Sequence, residues 1–171
     1  MPTRIGARKV FVALDFETTG LSPPSARVIE IGAVKVRDGE IIDRFQTLVN
    51  PGVWSRSAAM VHQIPYHEVC RAPLPSAAFM QLSRFIGNHP VVAHNCSFEQ
   101  RFLAHEYALL GIRKEHTYYC TMRLARDRVP RPCVENHKLQ TLLEAFEIEP
   151  TGPMHRALPD AEATAELWCF L

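Results

Sequence analysis

Two carboxylates follow a short apolar run near the start of the chain. They are Asp15 and Glu17, in the segment VALDFETTGLS at residues 12–22. Residues i and i+2 of a β-strand share one face, about 6.6 Å apart, so a strand here points both acids in the same direction. Such acids repel each other and lose hydration, and their hard oxygen ligands suit a divalent cation such as Mg²⁺ or Mn²⁺. The alternative is a strand end with ordinary solvated acids.

Two later segments add acids and a histidine. Glu99 lies in the first turn of a helix predicted over residues 97–111, where the positive end of the helix dipole favours an anion. His155 precedes the helix predicted over residues 158–171, and Asp160 lies near the start of that helix. Taken singly, Glu99 is better explained as an ordinary acid at a helix start. Asp160 alone could complement the helix dipole, and His155 alone could be a loop histidine.

Taken together, the three segments share a pattern. Each places its acid at a strand end or a helix start, and these positions gather at one edge of an α/β sheet, where sites usually form. Four carboxylates and one histidine suit two-metal cleavage of a phosphodiester, with metal ions about 3.5–4 Å apart. His155 is then the candidate to accept the proton of the attacking water.

The hydrophobic pattern predicts the elements that position these residues. Three strands, at residues 9–16, 27–37 and 40–50, form an antiparallel meander with a hairpin turn at Asp38-Gly39. Helical spacing and short apolar runs then alternate, with Ser97 as a predicted N-cap, Gly111 as a helix stop and Pro159 in the first turn of the last helix. The further helices are predicted at residues 55–63, 76–88, 97–111, 137–148 and 158–171, and the further strands at 90–95 and 116–121. This order predicts an α/β fold with a mixed five-stranded sheet flanked by helices, in one domain over residues 1–171.

Composition excludes several classes of protein. With 47% hydrophobic and 22% charged residues in 171, the chain forms a sizeable core. Its net charge of +1 is not that of a protein that grips long duplex DNA through many phosphates. We expect neither a membrane span nor a secretory signal, because no apolar run is long enough and the first ten residues lack an apolar region. The odd count of five cysteines, without a CxxC pair, predicts reduced and mostly buried thiols in a cytoplasmic protein.

Three ordered motifs resemble a known family. They are LDFETTG at residues 14–20, AHNCSFEQRFL at 93–103 and HRALPDAEATAEL at 155–167, and NHKLQTLLEAFEIE at 136–149 resembles the usual lead-in helix of the third. From about residue 10 to residue 171, the chain resembles the DEDDh branch of the DEDD 3′–5′ exonuclease superfamily. Within that superfamily it is most similar to the proofreading exonucleases of bacterial DNA polymerase III.

The resemblance implies an RNase H-like fold and a definite chemistry. It implies hydrolysis at the 3′ end of single-stranded nucleic acid, most often DNA, with release of nucleoside 5′-monophosphates and with two Mg²⁺ or Mn²⁺ ions. His155 becomes the general base. The implied metal ligands are Asp15, Glu17, Glu99 and Asp160, and the implied substrate contacts are Glu17, Thr18, His62, Asn95 and His155. Gln63 stands where the family has a glycine beside His62.

Glu99 is the departure that matters, because the family has aspartate there. The extra methylene displaces the carboxylate by about 1–1.5 Å, against a tolerance of about 0.5 Å for such sites. Mg²⁺ demands near-ideal octahedral geometry, although a ligand that binds partly through water absorbs some displacement. We expect Glu99 still to serve the site, with weaker binding of one metal ion and a preference for Mn²⁺.

Two other functions stay open. One is a nucleic-acid-binding module of the same fold with weakened catalysis, and the other is an exonuclease that degrades oligoribonucleotides. A DNA polymerase subunit also stays open as a partner, although we do not expect stable association with one from the residues after the last motif. A basic tract is predicted either to bind the nucleic-acid strand or to form a solvated face; it comprises Arg101, Arg123, Arg126, Arg128 and Arg131.

Overall fold

A five-stranded sheet carries the acids identified in the sequence. The computed structural model describes residues 10–171, so the predicted start of the first strand at Lys9 and most of the segment searched for a secretory signal lie outside the described residues. The strands are β1 (Phe11–Thr18), β2 (Val28–Arg37), β3 (Glu40–Leu48), β4 (Val91–Ala93) and β5 (Tyr118–Cys120). The helices are α1 (Arg56–His62), α2 (Tyr66–Val69), α3 (Pro75–Ile86), α4 (Ser97–Leu109), α5 (Thr121–Arg128), α6 (Leu139–Ala145) and α7 (Ala157–Phe170).

The sheet has the mixed topology predicted from the sequence. Its order is β3-β2-β1-β4-β5, with β1, β2 and β3 antiparallel and with β4 and β5 parallel to β1. The β2–β3 turn confirms the predicted hairpin, because Asp38 and Gly39 both have positive φ, at 54° and 87°. Parallel order places the carboxyl ends of β1, β4 and β5 along one edge of the sheet.

Alternation along β1 directs its side chains into two layers. Val12, Leu14 and Phe16 lie in the cluster that packs against α3 and α4. Phe11 and Ala13 lie in a second cluster, which includes Ala165 of α7. Because residues i and i+2 share a face, Asp15 and Glu17 continue the α7 side of the strand, as the alternation in the sequence predicts.

Helix α7 lies close against the sheet because its buried face is built from small residues. Ala157, Ala161, Ala163 and Ala165 are all buried. The closest approach is at Gly32 of β2, where an added Cβ would stand 2.1 Å from the carbonyl carbon of Ala157. Only glycine fits at this crossing, which sets the height of the start of α7 above the sheet.

Several local predictions need correction. Ser97 is the first residue of α4 and not its N-cap: Cys96 holds the cap position without a side-chain hydrogen bond. The Ser97 hydroxyl instead donates to Asn95 Oδ1 at 3.4 Å. The stop at Gly111 is confirmed, since the helix ends at Leu109 and Gly111 has φ of 67°.

Two helices were not predicted from the sequence, and the predicted burial of the cysteines was wrong. Helix α2 was not assigned because four residues are too few to show a period. Helix α5 was not assigned because only Thr121, Leu124 and Ala125 of this arginine-rich helix are buried. All five cysteines are free as predicted, but they are not mostly buried: Cys70, Cys133 and Cys169 are exposed. Over the described residues, no helix is long and apolar enough to cross a membrane.

Gly32→Ala tests the contact between β2 and α7. The new methyl group collides with backbone, which has no rotamer to escape into, so we expect the free energy of unfolding to fall by about 3 kcal/mol, the upper end for overpacked cores. Urea denaturation measures this change. Gly20→Ala is the control, because its Cβ would stand 3.2 Å from only the Ala26 methyl group and should cost less. Equal stability of the two variants would contradict the close approach.

Candidate active site

The end of β1 places the first two acids at the carboxyl edge of the sheet. Asp15 and Glu17 are half-buried, whereas Leu14 and Phe16 between and beside them are buried. The pairing of β1 with β2 shifts register between Glu17 and Thr18, which is the irregularity expected of a β-bulge. Beyond it the chain leaves the sheet, so both carboxylates stand where the strand opens to solvent.

The start of α7 brings the third acid and the histidine to the same place. The Asp160 Oδ2 atom accepts a hydrogen bond from the backbone N–H of His155 at 3.1 Å. This bond closes the turn before the helix, in which His155 has a left-handed φ of 63° and an exposed side chain. One ligand atom each from Glu17, His155 and Asp160 lies within 4.8 Å of the others.

Asp15 and Glu99 lie beside this group rather than within it. Glu99 is only 3% exposed, in the first turn of α4. Its charge is among those that raise the pKa of Asp15, which places the two carboxylates near each other. Within residues 10–171, Glu99 Oε2 and Asp160 Oδ1 are buried without a hydrogen-bond partner. Glu99 and Asp160 therefore each have one buried carboxylate oxygen without a hydrogen bond.

Burial and mutual repulsion both oppose ionisation of these carboxylates. Burial, and then the charges of Glu99, Asp160 and Glu17, hold the pKa of Asp15 well above its usual range. Burial and the charge of Asp160 raise the pKa of Glu17 to about 8, and burial raises the pKa of Glu99 to about 8. Burial also raises the pKa of Asp160 to about 6, although the His155 N–H opposes the rise. Hard oxygens that are crowded, buried and in part unpartnered fit a divalent cation.

Glu30 holds the start of α7 in place, a role the sequence reading missed. This fully buried carboxylate of β2 accepts hydrogen bonds from Arg156 Nη2 at 2.7 Å and from the Ala157 backbone N–H at 3.0 Å. Gln46 of β3 donates to the same carboxylate at 3.0 Å. The sequence signal for this role was an acid within a strand rich in Val and Ile, because a buried carboxylate needs hydrogen-bond partners. Arg156 is next to His155, so this ion pair fixes the backbone that presents the imidazole.

A cavity of about 330 Å³ opens beside Glu17. Its lining is apolar on several sides, with Phe16, Leu21, Val61 and Phe98, and it includes the predicted substrate contacts Thr18 and His62. Asn95, the remaining predicted contact, is exposed with φ of 61° and does not line this cavity.

The hydrogen bonds of His62 define its tautomer. The backbone N–H of Ile64 donates to His62 Nδ1 at 3.0 Å, so Nδ1 is an acceptor and Nε2 carries the proton of the neutral ring. Nε2 is buried and has no partner in the described part of the chain. The neighbouring Gln63 has φ of 57° at the end of α1, a left-handed conformation that glycine adopts more readily than glutamine.

Comparisons with known proteins agree with this geometry. A sequence model of the exonuclease family of the RNase T type matches residues 12–168. The DNA polymerase III PolC-type protein of Bacillus cereus is 37% identical over 166 residues, which are 96% of this chain and 11% of that protein. The chain thus spans about a tenth of the length of this relative.

Two solved structures share the fold. Exonuclease X, in complex with 5′ overhanging duplex DNA, is 28% identical with a TM-score of 0.73, covering 92% of this chain and 87% of that chain. A 3′-exonuclease that recognises the histone mRNA stem-loop is 20% identical with a TM-score of 0.76, covering 94% of this chain and 63% of that chain. The RNase H-like fold expected from the sequence is confirmed. Because the family model spans nearly the whole sheet-and-helix core and all three acidic motifs, the chain belongs to the RNase T exonuclease family.

Proposed function

We propose that this exonuclease hydrolyses the terminal phosphodiester at the 3′ end of a nucleic-acid strand, releases a nucleoside 5′-monophosphate, and requires two divalent cations. The observation that carries the proposal is the convergence of four carboxylates, from β1, α4 and α7, beside an exposed imidazole. These groups come from three distant segments, and no structural need of the fold explains a crowd of like charges there.

Asp15, Glu17, Glu99 and Asp160 are the residues that would hold the metal ions. When bound, divalent cations supply Lewis-acid polarisation of water and of the scissile phosphate. The unpartnered oxygens of Glu99 and Asp160 are suited to complete such a site. Mg²⁺ and Mn²⁺ are the expected ions, because every donor is a hard carboxylate oxygen.

His155 is the proposed general base. Its backbone N–H is held by Asp160 and its side chain is exposed, so the ring reaches solvent at the acidic group. The imidazole accepts a proton from the attacking water, and its ring lies beside the Glu17 and Asp160 carboxylates.

The cavity beside Glu17 is proposed to take the terminal nucleotide. Phe98, Leu21 and Val61 offer apolar surface to a base or sugar, and Leu21 is 82% exposed, as a ligand-free wall would be. His62 Nε2–H is a donor without a partner in the described chain, so it is assigned to a substrate oxygen. Thr18 lies on the same wall, with its hydroxyl donating to Gly20 O at 2.6 Å.

A DNA strand is the substrate we favour. The PolC-type relative is named a DNA polymerase, and Exonuclease X was solved with duplex DNA. The alternative of a weakened binding module depends on Glu99 alone, and the exposed His155 beside Glu17 and Asp160 argues against it. The alternative of an oligoribonucleotide substrate has the weaker support of a shared fold with the histone mRNA exonuclease. A polymerase partner remains a proposal that the PolC-type relative suggests.

Digestion of end-labelled oligonucleotides tests the reaction. With Mg²⁺ or Mn²⁺ and a 5′-labelled DNA strand, we expect a ladder of progressively shorter labelled products, which a chelator abolishes. Asp160→Asn should lower the rate at least about 100-fold, because loss of a metal ligand removes several kcal/mol of transition-state stabilisation. Glu166→Gln, at an exposed position of the same helix, is the control and should keep full activity.

Three outcomes would contradict this proposal. Immediate release of a labelled mononucleotide would reverse the direction. Binding of the strand without cleavage would favour the weakened module. Faster digestion of a matched RNA strand would favour the oligoribonucleotide enzyme.

Glu99 variants test the unusual second-motif acid. Glu99→Ala should lower turnover at least about tenfold, because the site loses a charge that neighbours Asp15. Glu99→Asp should lower the Mg²⁺ concentration needed for half-maximal activity and reduce any preference for Mn²⁺. Gln100→Ala, exposed on the same helix, is the control. Full activity of Glu99→Ala would exclude the residue from the site.

Thermal unfolding tests cation binding without any substrate. At a Mg²⁺ or Mn²⁺ concentration about 100 times Kd, binding stabilises the protein by about 2.7 kcal/mol, which raises Tm by about 5–10 °C for a chain of this size. Asp15→Asn should raise Tm in chelator, because it relieves repulsion, and should remove most of the cation-dependent rise. A wild-type Tm that is the same in chelator and in either cation would contradict the metal site.

A further inference from the structure

A second cavity, of about 420 Å³, lies on the β5 side of the same sheet edge. We call it the basic pocket; its lining residues are Met122, Arg126, Arg131, Asn136, His137 and Lys138. Arg126 belongs to α5, and the others come from α5 and from the segment between α5 and α6. None of the residues predicted for the active site lines it.

The basic pocket concentrates positive charge in a nearly neutral chain. Arg126, Arg131 and Lys138 converge on one cavity, although the chain as a whole carries a net charge of +1. None of the three takes part in an ion pair within residues 10–171. The neighbouring acids Asp127 and Glu135 are exposed and do not line the cavity. The charges are therefore available to an anion.

Asn136 adds a donor to these charges. Its Oδ1 atom accepts hydrogen bonds from the Lys138 backbone N–H and from the Thr141 hydroxyl, both at 2.9 Å. Two donors on that oxygen fix the orientation of the amide and leave its NH₂ group to donate. Two guanidinium groups, an ammonium group and an amide make a set of donors that matches phosphate oxygens.

Hydrogen bonds tie the wall of the basic pocket to the strand end that leads into the active site. His94, the residue after β4, contacts Thr121 Oγ1 through Nδ1 at 2.8 Å and the His137 carbonyl through Nε2 at 3.0 Å. His137 Nε2 in turn contacts the Val129 carbonyl at 2.8 Å. Burial lowers the pKa of His94 to about 4, so the ring is a neutral brace. Through His94, the pocket keeps a fixed position relative to Asn95 and the start of α4.

The order of strands separates the end of β5, after which the basic pocket is formed, from the end of β1. β5 lies two positions from β1 in the sheet, so its end is about 10 Å from the end of β1, and α5 begins directly after it. At about 3.4 Å of rise per nucleotide, 10 Å corresponds to roughly three nucleotides of a duplex strand. An anion in the basic pocket therefore belongs to a part of the substrate that has not yet reached the acids.

We propose that the basic pocket binds backbone phosphates of the substrate strand, about three or more nucleotides from the 3′ end that enters the acidic site. This inference rests on the proposed function. Of the five arginines predicted from the sequence as a possible strand-binding tract, only two line the pocket, Arg126 and Arg131. The other three are therefore not assigned to strand binding. We expect recognition to be independent of base sequence, because the charged groups and the amide of the pocket match phosphate oxygens and phosphate contacts carry no sequence information.

Arg126 and Arg128 provide a matched pair for the test. Both are exposed arginines in the last turn of α5, so replacing either by alanine removes the same charge from the same helix end. Only Arg126 lines the pocket. Binding of a fluorescent DNA 12-mer is measured by anisotropy at several salt concentrations, in an Asp15→Asn background that prevents cleavage.

We expect Arg126→Ala and Lys138→Ala to weaken binding of the 12-mer about fivefold and to make the salt slope shallower by about 0.7, the value for one lost phosphate contact on a single strand. Arg128→Ala should leave both unchanged. In the wild-type background, kcat/KM should fall for the 12-mer and stay constant for a dinucleotide, which is too short to reach the pocket.

Three results would overturn the inference about the basic pocket. Equal effects of Arg126→Ala and Arg128→Ala would indicate a diffuse basic surface. If Arg126→Ala weakened binding of the 12-mer and of a competing 5′-mononucleotide by the same factor, the pocket would be a site for free nucleotide. No effect of Arg126→Ala or Lys138→Ala would leave the pocket without a role in strand binding. A wild-type protein that hydrolyses neither substrate would instead refute the proposed function, while the anisotropy still decides the pocket.

Discussion

The docking of α7 onto β2 is the contact on which the candidate site depends. Glu30 and Arg156 are 126 residues apart in the chain, yet they form an ion pair. Its carboxylate is fully buried and also accepts a hydrogen bond from the first N–H of the helix. Gly32, one residue further along the same face of the strand, allows the helix backbone to come within contact distance. Replacing Arg156 would leave the buried Glu30 carboxylate without its charged partner, which is unfavourable for a group shielded from water. The helix start therefore has little freedom to shift, and Asp160 and the backbone of His155 are held with it.

This rigidity has an electrostatic consequence. A flexible edge would let the four carboxylates move apart or turn to water, but the strand end and the two helix starts keep them close. Raised pKa values of Asp15, Glu17, Glu99 and Asp160 are the mark of that confinement. The hydrogen bonding of Glu30 is different, because this fully buried carboxylate accepts hydrogen bonds from the Arg156 guanidinium and from the Ala157 backbone N–H. Crowded acids of this kind would be stabilised by a ligand of opposite charge, which is the role that the proposed function gives to divalent cations.

What the sequence predicted, and what it did not, follows from the range of the interactions involved. Alternation along β1 and β2, the Asp38-Gly39 turn and the stop at Gly111 are local, so the strands, the hairpin and the end of α4 could be read from adjacent residues. The acidic edge was predictable because parallel strands place their carboxyl ends together. Glu30, by contrast, became meaningful only through Arg156. The basic pocket, likewise, needed the fold of the segment after α5, since arginines at similar spacing in the sequence divide between pocket and solvent.

Acidic and basic groups lie at separate places along the same sheet edge of a nearly neutral chain. Carboxylates lie close together near the end of β1, and Arg126, Arg131 and Lys138 line the basic pocket beyond β5. The net charge of +1 therefore does not show that charges of opposite sign are concentrated in separate places. A phosphate at the acids alone is repelled until cations bind, whereas a phosphate at the basic pocket is attracted without them. In the proposed function, the basic pocket would therefore bind the strand even before metal ions occupy the acidic site. Binding and cleavage would then depend differently on salt and on divalent cations, because separate groups, joined through His94, serve each step.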